Sequence, residues 1–232
     1  MNPQITIGIP AYNQAEYLED AIESAYNQTM PAHEIIIVND GSLDNTQEIA
    51  ERYMFKEFPG VESPVRVINQ VNKGLPSARN TIIMNMTGNY LLPLDADDML
   101  KENAVARIHQ EIMQSNADIV APSFKEFGKS DRDIILGGFT MDDLKLANRI
   151  GYFSCVRRSA LLECGGYNPK MKWGWEDWDL WFDLFKRGKT IAVIQEILVM
   201  YRVKEKSMIL EANKHAEELY AQIKSNHSSL FI

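Results

Sequence analysis

Tyr90-Leu91-Leu92-Pro93-Leu94-Asp95-Ala96-Asp97-Asp98 is the stretch on which the fold turns. An apolar run of one strand's length breaks into three carboxylates. That is the pattern of a buried strand delivering oxygen ligands to the end of a sheet, where open α/β folds bind ligands. Hard oxygens in such a cluster suit Mg²⁺ or Mn²⁺, ions that commonly arrive with phosphates. The alternative is that Asp97 and Asp98 cap a helix beginning near Lys101, a frequent place for acidic residues.

Outward from this stretch, strands and helices alternate. Ile5 to Ile9 is β-rich and stops at Pro10, and Ala15 to Tyr26 puts Tyr17, Leu18, Ala21, Ile22 and Ala25 on one helical face. Ile35-Ile36-Ile37-Val38 is a second buried strand, closed by Asn39-Asp40-Gly41-Ser42 and followed by a helix to Tyr53. Pro59-Gly60 to Pro64 reads as a loop, Val65 to Asn69 as a strand and Leu75 to Met86 as a helix. The alternation predicts an α/β fold with a mostly parallel central sheet and helices on both faces. Beyond it, Asp118 to Phe127 and Cys155 to Arg157 look extended, Lys129 to Gly138 looks like an exposed loop, and Met141 to Asn148 like a short helix. Thr190 to Ile194 and Leu198 to Tyr201 read as short strands, and Leu210 to Lys224 as an amphipathic helix.

Composition narrows the function classes. The 232 residues suit one large domain, and a net charge of −8 without a Lys/Arg cluster argues against a nucleic-acid partner. No apolar run approaches the roughly 20 residues of a spanning helix, and Met1-Asn2-Pro3-Gln4 lacks the regions of a signal peptide. The expected setting is cytoplasmic, with at most peripheral contact with a membrane. Cys155 and Cys164 lack zinc-ligand company and read as free thiols; His33, His109, His215 and His227 read as surface or helix residues. The glycine-rich dinucleotide fingerprint and the P-loop lysine motif are both missing.

Five motifs in this order resemble glycosyltransferase family two, of the GT-A fold. They are Ile9-Pro10-Ala11-Tyr12-Asn13; Asn39 to Ser42 with Asp44 and Thr46; Asn72-Lys73-Gly74 with Ala78-Arg79-Asn80; Leu94 to Asp98; and Trp175-Glu176-Asp177-Trp178-Asp179-Leu180-Trp181. The resemblance implies a Rossmann-like, nucleotide-diphospho-sugar transferase fold and an inverting, metal-dependent transfer of sugar from a nucleoside-diphosphate sugar, a UDP-sugar being favoured. The acceptor would be a carbohydrate or glycolipid, the setting surface glycan or polysaccharide synthesis, and the cofactor Mn²⁺ or Mg²⁺. It places Pro10, Ala11, Tyr12, Asn13, Asp40, Lys73, Arg79, Asp95 and Ala96 by the nucleotide, Asp97 on the metal and Asp177 as catalytic base, with Trp175, Glu176 and Asp98 in acceptor or supporting roles. Residues 1–232 would form one domain: a nucleotide-binding half to about residue 98, an acceptor and catalytic half over about 99–208, and a C-terminal helix.

Local chemistry leaves competing readings beside these roles. Asp40 also suits an Asx turn, Lys73 a solvated surface charge, and Leu180, Trp181, Leu184 and Phe185 the face of a core helix with an acidic first turn. Aromatic faces around Gly174 and the carboxylates suit sugar rings, and a desolvated carboxylate there suits a base near neutral pH. Relatives often carry a histidine after the Tyr-Arg pair. Tyr201-Arg202 is followed instead by Val203-Lys204-Glu205-Lys206, whose lysines are candidates to neutralise a diphosphate. Two alternatives remain: a sugar-phosphate nucleotidyltransferase, for which Pro10 to Gln14 lacks the expected glycine-rich basic loop, and a non-catalytic sugar-binding protein of the same fold.

Overall fold

The computed structural model describes residues 2–56, 64–205 and 207–231. The loop expected from Pro59-Gly60 to Pro64 lies, apart from Pro64, outside these residues, as does Lys206. The first half is β1 (Ile5–Ala11), α1 (Leu18–Tyr26), β2 (Glu34–Asn39), α2 (Thr46–Met54), β3 (Val65–Asn69), α3 (Leu75–Asn85) and β4 (Tyr90–Pro93). There follow β5 (Met99–Leu100), α4 (Ala104–Ser115), β6 (Ile119–Gly128), β7 (Arg132–Ile134), α5 (Met141–Leu146) and β8 (Cys155–Arg157). The last elements are α6 (Arg158–Cys164), α7 (Glu176–Lys186), β9 (Ile191–Val203), α8 (Met208–Lys214) and α9 (Ala216–Asn226).

The strands join one sheet in the order β3-β2-β1-β4-β8-β6-β9-β5, with β7 on β6. β1 to β4 are parallel, and β6 and β9 pair parallel to each other; β8, β7 and β5 run against their neighbours. The sheet is mostly parallel, as expected. Both faces are covered, which is why its strands are continuous apolar runs. Ile35 and Ile37 enter a core shared with α1, α2 and α4, while Ile36 and Val38 enter a second one shared with α3, α6, α7 and α9. Gly8 lets α3 lie close on β1: a Cβ there would meet Ile82 Cγ2 at 2.7 Å. Among the described residues, no helix is long and apolar enough to cross a membrane.

Several elements depart from the sequence expectation. The helix after the carboxylates starts at Ala104 with Asn103 as its N-cap, so Asp97 and Asp98 do not cap it. Residues 129–138 contain β7, which forms a hairpin with β6. The two strands expected near residues 190–201 are one strand, β9, interrupted by a bulge: Pro122 pairs with Ile194 but Phe124 with Val199. Ser123 pins the bulge, its Oγ donating to Ile194 O and accepting from Leu136 N. The terminal helix divides at His215 into α8 and α9. His227 is buried, not on the surface, with its Nε2 2.9 Å from Asp179 Oδ1. Cys155 and Cys164 are free thiols.

Candidate active site

The carboxyl ends of β1, β2 and β4 open on a cleft of about 400 Å³ lined by Pro10, Ala11, Tyr12, Asp40, Asp95, Ala96, Asp97 and Asp98. Tyr12 leaves a ring 45% exposed at its mouth. Asn13 does not line the cleft; at φ +51° it bonds the neighbouring loop, its Oδ1 accepting from Leu43 N at 2.8 Å. Asp40 is buried and ties two loops together. Its Oδ1 accepts from Gln70 Nε2 at 2.7 Å and Lys73 N at 2.9 Å, and its Oδ2 from Gly74 N at 2.8 Å. A carboxylate offers about four acceptor positions, so one on Asp40 is left over. The Lys73 side chain is exposed and away from the cleft lining.

The three carboxylates after β4 have separate fates. Asp95 accepts from Arg79 Nη2 at 2.7 Å, and burial, partly opposed by Arg79, pushes its pKa up to about 6. Asp98 is buried, accepting from Arg202 N at 2.6 Å and from the Tyr152 hydroxyl; burial and then the charge of Asp97 hold it well above the usual carboxylate range. The same hydroxyl accepts from Asp95 N, so Tyr152 braces the turn. Asp97 meets Lys204, Nζ to Oδ2 at 2.5 Å.

Arg79 is fully buried. One arm holds Asp95 and the other donates to Glu176 Oε1 at 2.6 Å, with the guanidinium between the Tyr152 and Tyr167 rings. It does not line this first cleft; in the structure it joins the turn after β4 to α7. Its Nε and the Tyr167 hydroxyl are buried with no hydrogen-bond partner among the described residues.

A second cleft adjoins the first across Asp95 and Tyr201 and has Asp177 in its wall. Trp175 precedes α7 with φ +59°, a left-handed conformation rare for a bulky residue, and its carbonyl accepts from Asp179 N at 3.0 Å. That turn sets Glu176 and Asp177 at the helix N-terminus, where the dipole favours negative charge. Asp177 Oδ1 accepts from Trp178 N at 2.8 Å and Oδ2 from Asn148 Nδ2 at 2.9 Å. Burial, opposed in part by Arg79, raises its pKa, and Glu176 is raised for the same reason. Trp178 and Trp181 belong to the core, their indoles donating to Leu144 O and Ile150 O; Trp175 stands edge-on to Trp178 and lines the cleft. Beyond Asp177 the groove continues over Gly137-Gly138 and Asn148 to Phe153. Tyr152 and Asn148 escaped the sequence reading because neither sits in a local pattern; only tertiary contact brings them to Asp95, Asp98 and Asp177.

Among the described residues no group of three or more His, Cys, Asp or Glu could hold a metal ion. Mg²⁺ and related ions are, however, commonly bound by one or two carboxylates together with substrate phosphates. Asp97, at the cleft and free of other side-chain partners among the described residues, fits an ion of that kind and not a closed protein site.

Comparison with known proteins is consistent with this geometry. The model of "Glycosyl transferase family 2" matches residues 6–165. The chain belongs to glycosyl transferase family 2. Within the family it is 36% identical over 131 residues to Glycosyltransferase GlyA of Streptococcus pneumoniae, covering 56% of this chain and 18% of that protein. It is 30% identical over 192 residues to the chondroitin synthase of Pasteurella multocida, covering 81% of this chain and 19% of that one. The chain thus spans under a fifth of either relative's length. The crystal structure of S. aureus TarS 1–349 in complex with UDP-GlcNAc superposes with a TM-score of 0.74 at 16% identity, over 97% of this chain and 73% of that one. The fold is that of the GT-A glycosyltransferases.

Proposed function

We propose that this protein is an inverting glycosyltransferase that moves a sugar from a nucleoside-diphosphate sugar, a UDP-sugar being favoured, to a hydroxyl of a carbohydrate or glycolipid acceptor, in surface glycan or polysaccharide synthesis. The observation that carries the reading is the adjacency of two unlike carboxylates. Asp97 faces one cleft beside a cation, and Asp177, its pKa raised by burial, faces the next; Arg79 spans the ground between them through Asp95 and Glu176. UDP-GlcNAc in TarS and the glycan named in the chondroitin synthase support the donor class and the setting.

Residues up to about 98 hold the nucleotide: Tyr12 stacks on the base, the spare acceptor position of Asp40 takes a base N–H, and Pro10, Ala11 and Ala96 shape the wall. The rest of the domain holds the acceptor, with Trp175 against a sugar ring. Asp177 removes the acceptor proton as that oxygen attacks the anomeric carbon. The glycosidic bond to the diphosphate breaks and its electron pair leaves with the diphosphate. Mn²⁺ or Mg²⁺, bound at Asp97 with the diphosphate, would supply charge stabilisation to the leaving group. One displacement by one base inverts the anomeric centre.

Incubating the protein with UDP-, GDP- and dTDP-sugars and candidate acceptors tests the reading through nucleoside diphosphate release and NMR of the product. Release that depends on acceptor, with an inverted anomeric signal, is expected. A product that keeps the donor's configuration overturns the mechanism, and release of pyrophosphate from a nucleoside triphosphate and a sugar phosphate would favour the nucleotidyltransferase.

A further inference from the structure

Lys204 directly follows β9 in the lining of the nucleotide cleft, and its ammonium sits 2.5 Å from Asp97 Oδ2, with both side chains 20% exposed. The Tyr17 ring lies under it at 4.8 Å, so the ammonium is seated between a carboxylate and an aromatic face and is largely withdrawn from water. Asp95 is committed to Arg79, and Asp98 to Tyr152 and the Arg202 amide. Of the three carboxylates after β4, the one left for a divalent cation is therefore already neutralised by a group of the same chain.

We propose that Lys204 is the resident counterion of Asp97 and competes with a divalent cation for it, yielding only when a diphosphate enters and offers the ammonium a new partner. This rests on the reading of the cleft as a donor site. Charge balance argues for the exchange. The two phosphates of a nucleotide sugar each carry a negative charge; together with Asp97 they match a divalent ion plus one ammonium. Without the diphosphate, an ion arriving alone gains one carboxylate, loses part of a tightly held hydration shell and must displace Lys204, so it binds poorly. Lys204 also gives the diphosphate a cation when no metal is present. Cation and nucleotide binding are then coupled, each strengthening the other reciprocally.

Calorimetric titration of the whole protein tests this, with MnCl₂ alone and with UDP, GDP, CDP and dTDP in EDTA or in Mn²⁺. Lys204→Met keeps the stem on Tyr17 and removes the charge, while Lys204→Arg keeps the charge. Lys204→Met is expected to bind Mn²⁺ alone about tenfold or more tightly than wild type, and its best nucleoside diphosphate in EDTA about tenfold to a hundredfold more weakly, the range of one charged hydrogen bond. Lys204→Arg should bind that nucleotide in EDTA within a few-fold of wild type. If wild type binds a nucleoside diphosphate and Lys204→Met matches it in both titrations, the proposal is overturned while the donor site stands. If wild type binds none of the four with or without Mn²⁺, the donor site falls and the proposal with it.

Discussion

Arg79 and Glu176 stand 97 residues apart in the chain and 2.6 Å apart in the fold. With Asp95 on its other arm, the guanidinium ties the turn after β4 to the first turn of α7, and so one cleft to the next. Removing one partner of a buried pair leaves uncompensated charge, at a cost of about 3–5 kcal/mol. Arg79→Met should therefore lower the unfolding free energy by roughly that amount, or the melting temperature by about 6–20 °C at this chain length. Urea and thermal denaturation measure it. A variant as stable as wild type would mean that Asp95 and Glu176 simply take up protons.

Asp177→Asn should nearly eliminate transfer and leave donor binding almost unchanged. Asparagine keeps the size of aspartate but cannot accept the acceptor's proton, and general-base assistance is worth about 10²–10⁴ in rate. Turnover at saturating donor and acceptor, set beside calorimetric donor affinity, gives the answer. Near wild-type turnover would remove Asp177 from the mechanism.

Asn148 should set where the proposed base works on the pH scale. As the proposed base, Asp177 must be ionised to work, and its raised pKa should make activity fail on acidification at a higher pH than an ordinary aspartate would allow. The amide of Asn148 donates to the carboxylate and favours its ionised form. Asn148→Ala should raise the pKa further and move the acid limb of the kcat/KM profile to higher pH, with much of the activity recovered on the alkaline plateau. A profile that falls uniformly without moving would give Asn148 a merely structural part.

Asp40→Ala should weaken a complete nucleoside diphosphate more than inorganic pyrophosphate. Beyond any contact with the base, the substitution releases Lys73 N and Gly74 N, which fix the start of α3. Loss of a hydrogen bond to a charged group costs about 1.5–3 kcal/mol, or roughly tenfold to a hundredfold in affinity. Equal losses for both ligands in calorimetry would assign the whole effect to the collapsed turn.

The sheet was legible because parallel strands buried on both faces are written as unbroken apolar runs; Ile35 to Val38 and Tyr90 to Leu94 needed no tertiary information. The acidic ends of those runs were legible too. What each carboxylate does was not, since Asp95, Asp97 and Asp98 look alike in sequence and are told apart only by Arg79, Lys204 and the Tyr152 hydroxyl, which arrive from elsewhere in the chain. β9 looked like two strands because the exposed Gln195-Glu196 at its bulge interrupts the apolar pattern. The burial of His227 was not legible because nothing near it announces its partner Asp179 on α7.

That bulge has a consequence of parity. Between Pro122 and Phe124, two steps along β6 are matched by five along β9, from Ile194 to Val199, an excess of three residues. An odd excess exchanges the two sides of a strand for everything that follows it, because neighbouring side chains point opposite ways. Arg202 and Lys204 come after it. That both look into the first cleft, and Val203 between them does not, is thus decided upstream, where a single hydroxyl, that of Ser123, clasps the Ile194 carbonyl. Insertion or deletion of one residue between 194 and 199 would turn the lysine out of the cleft and its neighbour in, with every residue that lines the cleft unaltered.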